Sequence, residues 1–249
     1  MSTFLSLFKK ELRSCFLSPI AFVVMFFFWV LTGGNFVWLL YQLANGESLT
    51  VAAQWMFGGP MVFSLPVVVP LITMRLFAEE RKLGTLETLL TTSVRVSELV
   101  LSKFFGALVF YAVLWLPTLA YAYMQSRLNP AVGQAFPDTG ALLAGAIGVL
   151  TVGALYVAVG LFMSSLTSNQ IVAAIAGFAV LFGAFLTGAY MAYTAPSEVT
   201  RNLGQYLSSY AHMLDFARGI VDSRIMALYL SFTAWILYAS VRVVETRRA

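Results

Sequence analysis

The sequence predicts an all-α integral membrane protein with six transmembrane helices. Both termini are expected on the cytoplasmic side, with an interfacial helix before the first span and short extracytoplasmic helices between the fifth and sixth. Three observations carry this. The 249 residues are 60% hydrophobic and 10% charged, with a mean hydropathy of +0.84, whereas a soluble domain carries about 25% charged residues. Six segments, at about 20–42, 55–74, 104–124, 140–163, 170–193 and 225–241, suit a bilayer crossing, which needs roughly 20 apolar residues of helix. The basic residues are also unequally shared between alternate loops. Lys9, Lys10, Arg13, Arg75, Arg81, Lys82, Arg95, Lys103, Arg242, Arg247 and Arg248 fall on one side, and only Arg127, Arg201, Arg218 and Arg224 on the other. That bias places the first group in the cytoplasm. It also accounts for the sequence pI of about 9.3 without a nucleic-acid partner. One domain over 1–249 is expected, in a bacterial cytoplasmic (inner) membrane.

The chain opens on residues 3–17, where Phe4, Leu5, Phe8, Leu12, Cys15 and Phe16 make one helical stripe and Lys9, Lys10 and Arg13 lie elsewhere on the wheel. This suits a helix in the interface with its lysines at anionic headgroups. The apolar run that follows is too long for a signal-peptide core and shows no small-residue cleavage pattern. In the second span Pro66 and Pro70 are expected to kink the helix, with neighbours satisfying the freed carbonyls. Small residues four apart (Gly140, Ala144, Gly148, and Ala184, Gly188) allow helices to approach closely.

Between spans two and three lies a polar island, 75–103, holding Arg75, Glu79, Glu80, Arg81, Lys82, Glu87, Arg95, Glu98 and Lys103. Leu83, Leu86, Leu89 and Leu90 give it an apolar stripe. Gly84 ends the preceding helix, and Thr85 is placed to cap a new one. Glu87 then sits in a first turn, where the helix dipole favours a negative charge. A short, capped, amphipathic helix between two spans is a surface built to touch something. The loop at 164–169 is short and uncharged. In the outer loop, 197–222, Leu203, Leu207, Tyr210, Leu214 and Ala217 recur at helical spacing until Gly219. Asp222 is placed to cap the sixth span and Arg224 to snorkel.

The six proposed spans contain no Asp, Glu, Lys, Arg or His, whereas coupled transporters use intramembrane ionisable groups or broken-helix ion sites. The chain has no phosphate-binding loop of the G-x-x-x-x-G-K-[ST] type. One cysteine, Cys15, and one histidine, His212, build neither a Cys/His metal cluster nor a nucleophile–base set. His212 beside Met213 is an incidental soft-ligand pair. No enzymatic activity is expected of the chain itself, so energy for work has to arrive from another polypeptide.

The run Thr73-Met-Arg-Leu-Phe-Ala-Glu-Glu-Arg81, with Gly84-Thr-Leu-Glu87, Leu89-Leu90-Thr91 and Lys103, resembles the ABC-2 type transporter permeases, and among them the gliding-motility-associated (GldF-like) branch. The stretch from Gly160 to Gln170 is similar to that family's inner turn between spans four and five. Phe216-Ala-Arg-Gly219, with Asp222, Arg224 and 229–231, is similar to its approach to span six. Ser93 departs from the pattern, since relatives often place a proline there. The resemblance implies an N-terminal elbow helix, a coupling helix between spans two and three, and a second copy of the permease or a related one. It further implies a separate ABC ATPase dimer binding ATP and Mg, and a companion GldG-like membrane protein with an extracytoplasmic domain. On it, Glu79, Glu80, Arg81, Gly84, Thr85, Leu86, Glu87 and Leu90 meet the ATPase. Phe216, Arg218, Gly219, Asp222 and Arg224 are the weaker candidates for an outer partner or substrate. The competing reading is a non-transporting scaffold, or a force-transmitting anchor for an extracytoplasmic partner.

Overall fold

A computed structural model describes residues 3–45, 59–86, 95–128 and 139–246, which form eleven helices and no strand. They are α1 (Thr3–Phe16), α2 (Pro19–Ala44), α3 (Gly59–Thr73), α4 (Arg75–Lys82), α5 (Val96–Leu114), α6 (Leu116–Leu128), α7 (Thr139–Leu166), α8 (Gln170–Tyr193), α9 (Glu198–Leu207), α10 (Ser209–Ala217) and α11 (Ser223–Glu245). Among them are six stretches long and apolar enough to cross a membrane: Pro19–Gln42, Val62–Lys82, Val96–Tyr121, Gly140–Leu166, Gln170–Tyr193 and Ser223–Glu245. The residues at 55–58, with Trp55, and at 87–94 lie outside the described ones.

Helix α7 is the centre of the bundle and packs on α3, α4, α5, α8, α10 and α11. It does so because its small residues admit partners almost to the backbone. A Cβ at Gly148 would lie 2.5 Å from the Phe216 ring, and one at Gly153 or Gly160 would overlap Tyr111 or Thr73. Gly188 is similarly close to Ser208, 3.0 Å from its Cα. Ala184, by contrast, is exposed. Large apolar side chains such as Phe22, Phe26 and Trp29 on α2, Ile175 on α8 and Trp235 on α11 face outward, as expected of helices whose solvent is lipid. Gly148→Ala is expected to lower stability by about 1–3 kcal/mol through overpacking. Thermal unfolding in detergent would read this, and adding Phe216→Leu should return part of the loss.

Two of the long spans are jointed. Pro66 and Pro70 sit inside α3, which stays helical through both, and the interruption comes after them, at Met74. In the third span the joint is Trp115, just before Pro117. The proline lacks the N–H of the helical ladder and disfavours α geometry in the residue before it. The Trp115 carbonyl accepts twice from Thr118, from its hydroxyl at 2.6 Å and from its backbone N–H at 3.1 Å.

Both spans reach further than the apolar runs suggested, to Lys82 in one and from Val96 in the other. The helices therefore carry ionisable groups just beyond the ends of the apolar runs. Lys103 lies inside α5 with only 1% of its surface exposed, and the last span carries Arg224, Arg242 and Glu245. The cause for Lys103 is local: two carboxylates meet its ammonium, so burial does not strand the charge.

Candidate functional site

The polar island is built around the end of α4. Helix α4 buries Leu76, Phe77 and Ala78 and stops where Gly84 adopts φ +71°. That left-handed conformation is open to glycine without the steric penalty of a Cβ, and it ends helices. Thr85 follows in a new helical turn, but its hydroxyl donates back to the Glu80 carbonyl at 3.3 Å. It thus closes the turn behind it, and no cap to the helix ahead is formed by that bond. Leu86 is buried, while Lys82, Leu83, Gly84 and Thr85 are exposed. Glu87 and Leu90, the remaining residues assigned to this surface, lie outside the described residues.

Three of the assigned residues are engaged within the chain. Glu79 pairs with Arg75 at 2.9 Å, one helical turn away. Arg81 donates from Nη1 to the Ser165 carbonyl at 2.8 Å, which ties α4 to the last turn of α7. Glu80 turns inward: its Oε1 lies 2.9 Å from Lys103 Nζ and 3.8 Å from Lys10 Nζ. Lys103 Nζ also donates to Glu11 Oε1 at 3.0 Å and stands 5.3 Å from the Phe77 ring centroid. One ammonium therefore joins α1, α4 and α5.

Helix α1 is accordingly docked, with Leu7 and Glu11 buried. Glu11 Cβ lies where a side chain on Gly106 of α5 would begin, 3.2 Å away, and Phe4 and Phe16 pack edge-on against Phe105 and Phe110. The apolar stripe read from sequence is thus partly a protein contact, centred on a glutamate that the stripe did not include. Burial, reinforced by the Glu11 charge, pushes the Cys15 thiol up to about 11, so little of it is thiolate near neutral pH.

The second feature missed in the sequence is Ser164. The break at Met74 removes the regular partners of the backbone that follows. The Ser164 hydroxyl supplies them, accepting from the N–H groups of Phe77 and Ala78 at 3.1 Å each and donating to the Met74 carbonyl at 2.9 Å. A serine two residues before the end of an apolar span was the one available signal, and it is weak, because such serines usually bond back to their own helix.

At the opposite end, α9 and α10 are the two short helices expected between spans five and six. Leu203 and Leu207, two of the residues at helical spacing in the sequence, are more than half exposed. The face of α9 that packs is Gly204, seated against the backbone at Met191 and Ala192, because only a residue without a side chain lets α9 lie that close to α8. Phe216 is buried over Gly148, and Arg218 is exposed, 4.0 Å from Asp215. Gly219 takes φ +86°. Asp222 caps α11 as expected, accepting from the Arg224 N–H at 2.8 Å.

His212 and Met213 are both buried in α10, not placed in a polar loop, and His212 Nδ1 lies 3.0 Å from the Tyr229 hydroxyl. Burial lowers the His212 pKa below its ordinary value, which is about 6.5. A lowered value means that the unfolded chain takes up a proton before the folded one does. The stability His212 contributes is therefore full above the ordinary pKa and lost as pH falls through it towards the lowered value. Melting temperature measured from pH 8 to pH 5 should fall more steeply in the native chain than in His212→Gln.

Residues 40–241 match the family described as ABC-2 family transporter protein. The match spans well over half of the chain, which therefore belongs to that family and is a multi-pass transmembrane permease subunit. A search of curated proteins returned no match.

Proposed function

We propose that this permease works with a separate ABC ATPase, and that the turn at the end of α4 is where the two meet. The observation that carries the reading is the exposed run Lys82–Thr85 on a helix end tied to three others. Glu80 reaches α1 and α5 through Lys103, and Arg81 and Ser164 reach α7. A push at this turn is delivered to the bundle as a rigid-body displacement instead of being absorbed by a loose loop. Glu87 and Leu90 are assigned as further contacts on the resemblance of the sequence alone. The partner binds ATP and Mg and carries the catalysis; this chain carries none. The island then faces the cytoplasm of a bacterial inner membrane, and a second permease completes the unit.

The similarity of 73–91 to the GldF-like branch supports a gliding-motility-type complex with a GldG-like companion. Helix α9 supports an outer partner, since Val199, Leu203, Tyr206 and Leu207 are exposed on it. A force-transmitting anchor would use that same helix and move no cargo.

The test is charge reversal on the outward side. Lys82→Glu and Glu87→Lys should leave insertion unchanged while reducing the coupling of ATP hydrolysis to activity about tenfold, within the usual range of coupling energies. Coupled activity at the native level in both variants would rule the contact out.

A further inference from the structure

A cavity of about 260 Å³ opens between α1, the start of α2, the end of α3, α4 and α5. It lies away from the outer loop and borders the exposed turn at Leu83 and Thr85. Its lining joins apolar side chains, Ala21, Val24, Ile72 and Phe110, to charged ones that include the exposed Lys10 and the buried Glu11 and Lys103. Two buried polar atoms on that lining have no hydrogen-bond partner. One is Glu80 Oε2, whose twin oxygen holds Lys103; the other is the hydroxyl of Ser18, a residue only 5% exposed. Unsatisfied groups of this kind are rare in native interiors and point to an absent partner.

The two orphans state what that partner carries. A carboxylate oxygen accepts only, so Glu80 Oε2 takes a hydrogen-bond donor, and a charged N–H gives the stronger bond. Glu11 and Glu80 share the single buried ammonium of Lys103, and Lys10 meets Glu80 only at Oε1, 3.8 Å away, so no cation pairs with Oε2. Lys10 sits at the rim, 56% exposed, and offers charge to an anion beside that cation. The apolar wall asks for hydrocarbon. The mouth includes Ile20 and Leu83, both exposed, at the charged end of the first two apolar runs. A volume just under the usual range for ligand pockets takes a headgroup and the first methylenes, not a whole lipid.

We propose that this cavity binds the primary-ammonium headgroup of an aminophospholipid, phosphatidylethanolamine in chemical class. The ammonium donates to Glu80 Oε2, the phosphate lies between Lys10 and the Ser18 hydroxyl, and the start of an acyl chain lies against Ala21 and Ile72. A bound lipid at this point joins α1 to spans two and three, beside the Lys103 pairing. The proposal stands independently of the ATPase contact.

The test is native mass spectrometry of the purified chain in mild detergent, titrated with phosphatidylethanolamine, phosphatidylcholine or phosphatidylglycerol of identical acyl chains. Phosphatidylcholine keeps the phosphate and charge but has no ammonium N–H, and phosphatidylglycerol has no amine. Phosphatidylethanolamine should be retained at least about tenfold more tightly than either, the worth of one charge-assisted hydrogen bond. Glu80→Gln should remove the preference. Because it also disturbs the Lys103 pairing, Ala21→Leu serves as the second variant, filling the cavity while leaving every charge in place. It should lose the preference at an unchanged melting temperature. Equal retention of phosphatidylethanolamine and phosphatidylcholine overturns the proposal, as does full retention by Ala21→Leu. Free phosphoethanolamine competing at the lipid's own concentration would assign the cavity to a soluble amine and overturn the lipid.

Discussion

Replacing Lys103 with methionine is expected to destabilise the protein by about 3–5 kcal/mol, the usual cost of removing one partner from a buried ion pair. The ammonium is 1% exposed and lies 3.0 Å from Glu11 and 2.9 Å from Glu80. Without it two carboxylates face one buried space with only Lys10, at 3.8 Å and half in solvent, to answer them. One of the two must take up a proton or draw in water, and α1 loses its polar tie to α5. Neutralising the whole set, with Lys103→Met, Glu11→Gln and Glu80→Gln together, should recover much of the loss, since the cost lies in the unmatched charge. Denaturant or thermal unfolding of the single and triple variants in the same detergent decides this. A single variant within about 1 kcal/mol of native would mean that Lys103 is not the joint between α1, α4 and α5.

Ser164→Ala is expected to cost about 3 kcal/mol and to loosen the joint at Met74. The hydroxyl serves three backbone groups at once, the N–H groups of Phe77 and Ala78 and the carbonyl of Met74. A buried group left unsatisfied costs about 1–3 kcal/mol. Part of that is recovered if α4 shifts to re-form the regular ladder with α3, and such a shift would move the Gly84 turn. Ser164→Ala should therefore show faster amide exchange across 74–82 as well as a lower melting point. Ser164→Thr, which keeps the hydroxyl, should restore the protection. Protection unchanged in Ser164→Ala would show that the break at Met74 is held by something else.

The six spans and their order were legible in the sequence because each apolar run is long enough to declare itself. So were Gly84, Gly219 and Asp222, whose roles depend only on turn and cap chemistry within a few residues. The boundaries at the charged end were not. The span limits at 74 and 104 stop short of Arg75–Lys82 and of the first turns of α5 because their charges look solvated one at a time. The bond that buries Lys103 joins residues 92 positions apart, so no local pattern contains it. A lone Glu11 on the same face as Leu7 and Cys15 was the available hint. In α9 hydrophobic periodicity marks Leu203 and Leu207 as a face, and the side that packs on α8 is chosen by Gly204, which periodicity does not show. Of the residues assigned to the partner surface, Gly84 and Thr85 face outward. Glu80 and Arg81 hold the turn in place from within.

The central claim is that the turn after α4 is where an ATPase docks, and site-directed crosslinking tests it most directly. With Cys15, the only native cysteine, changed to serine, Thr85→Cys is crosslinked in native membranes and the adduct identified by mass spectrometry. The account predicts an adduct with a soluble ATPase bearing a phosphate-binding loop, and its loss when Glu87→Lys is added without loss of insertion. A chain that is inserted, captures no ATPase from Thr85→Cys or Leu83→Cys, and purifies alone from cells expressing the ATPase would contradict it.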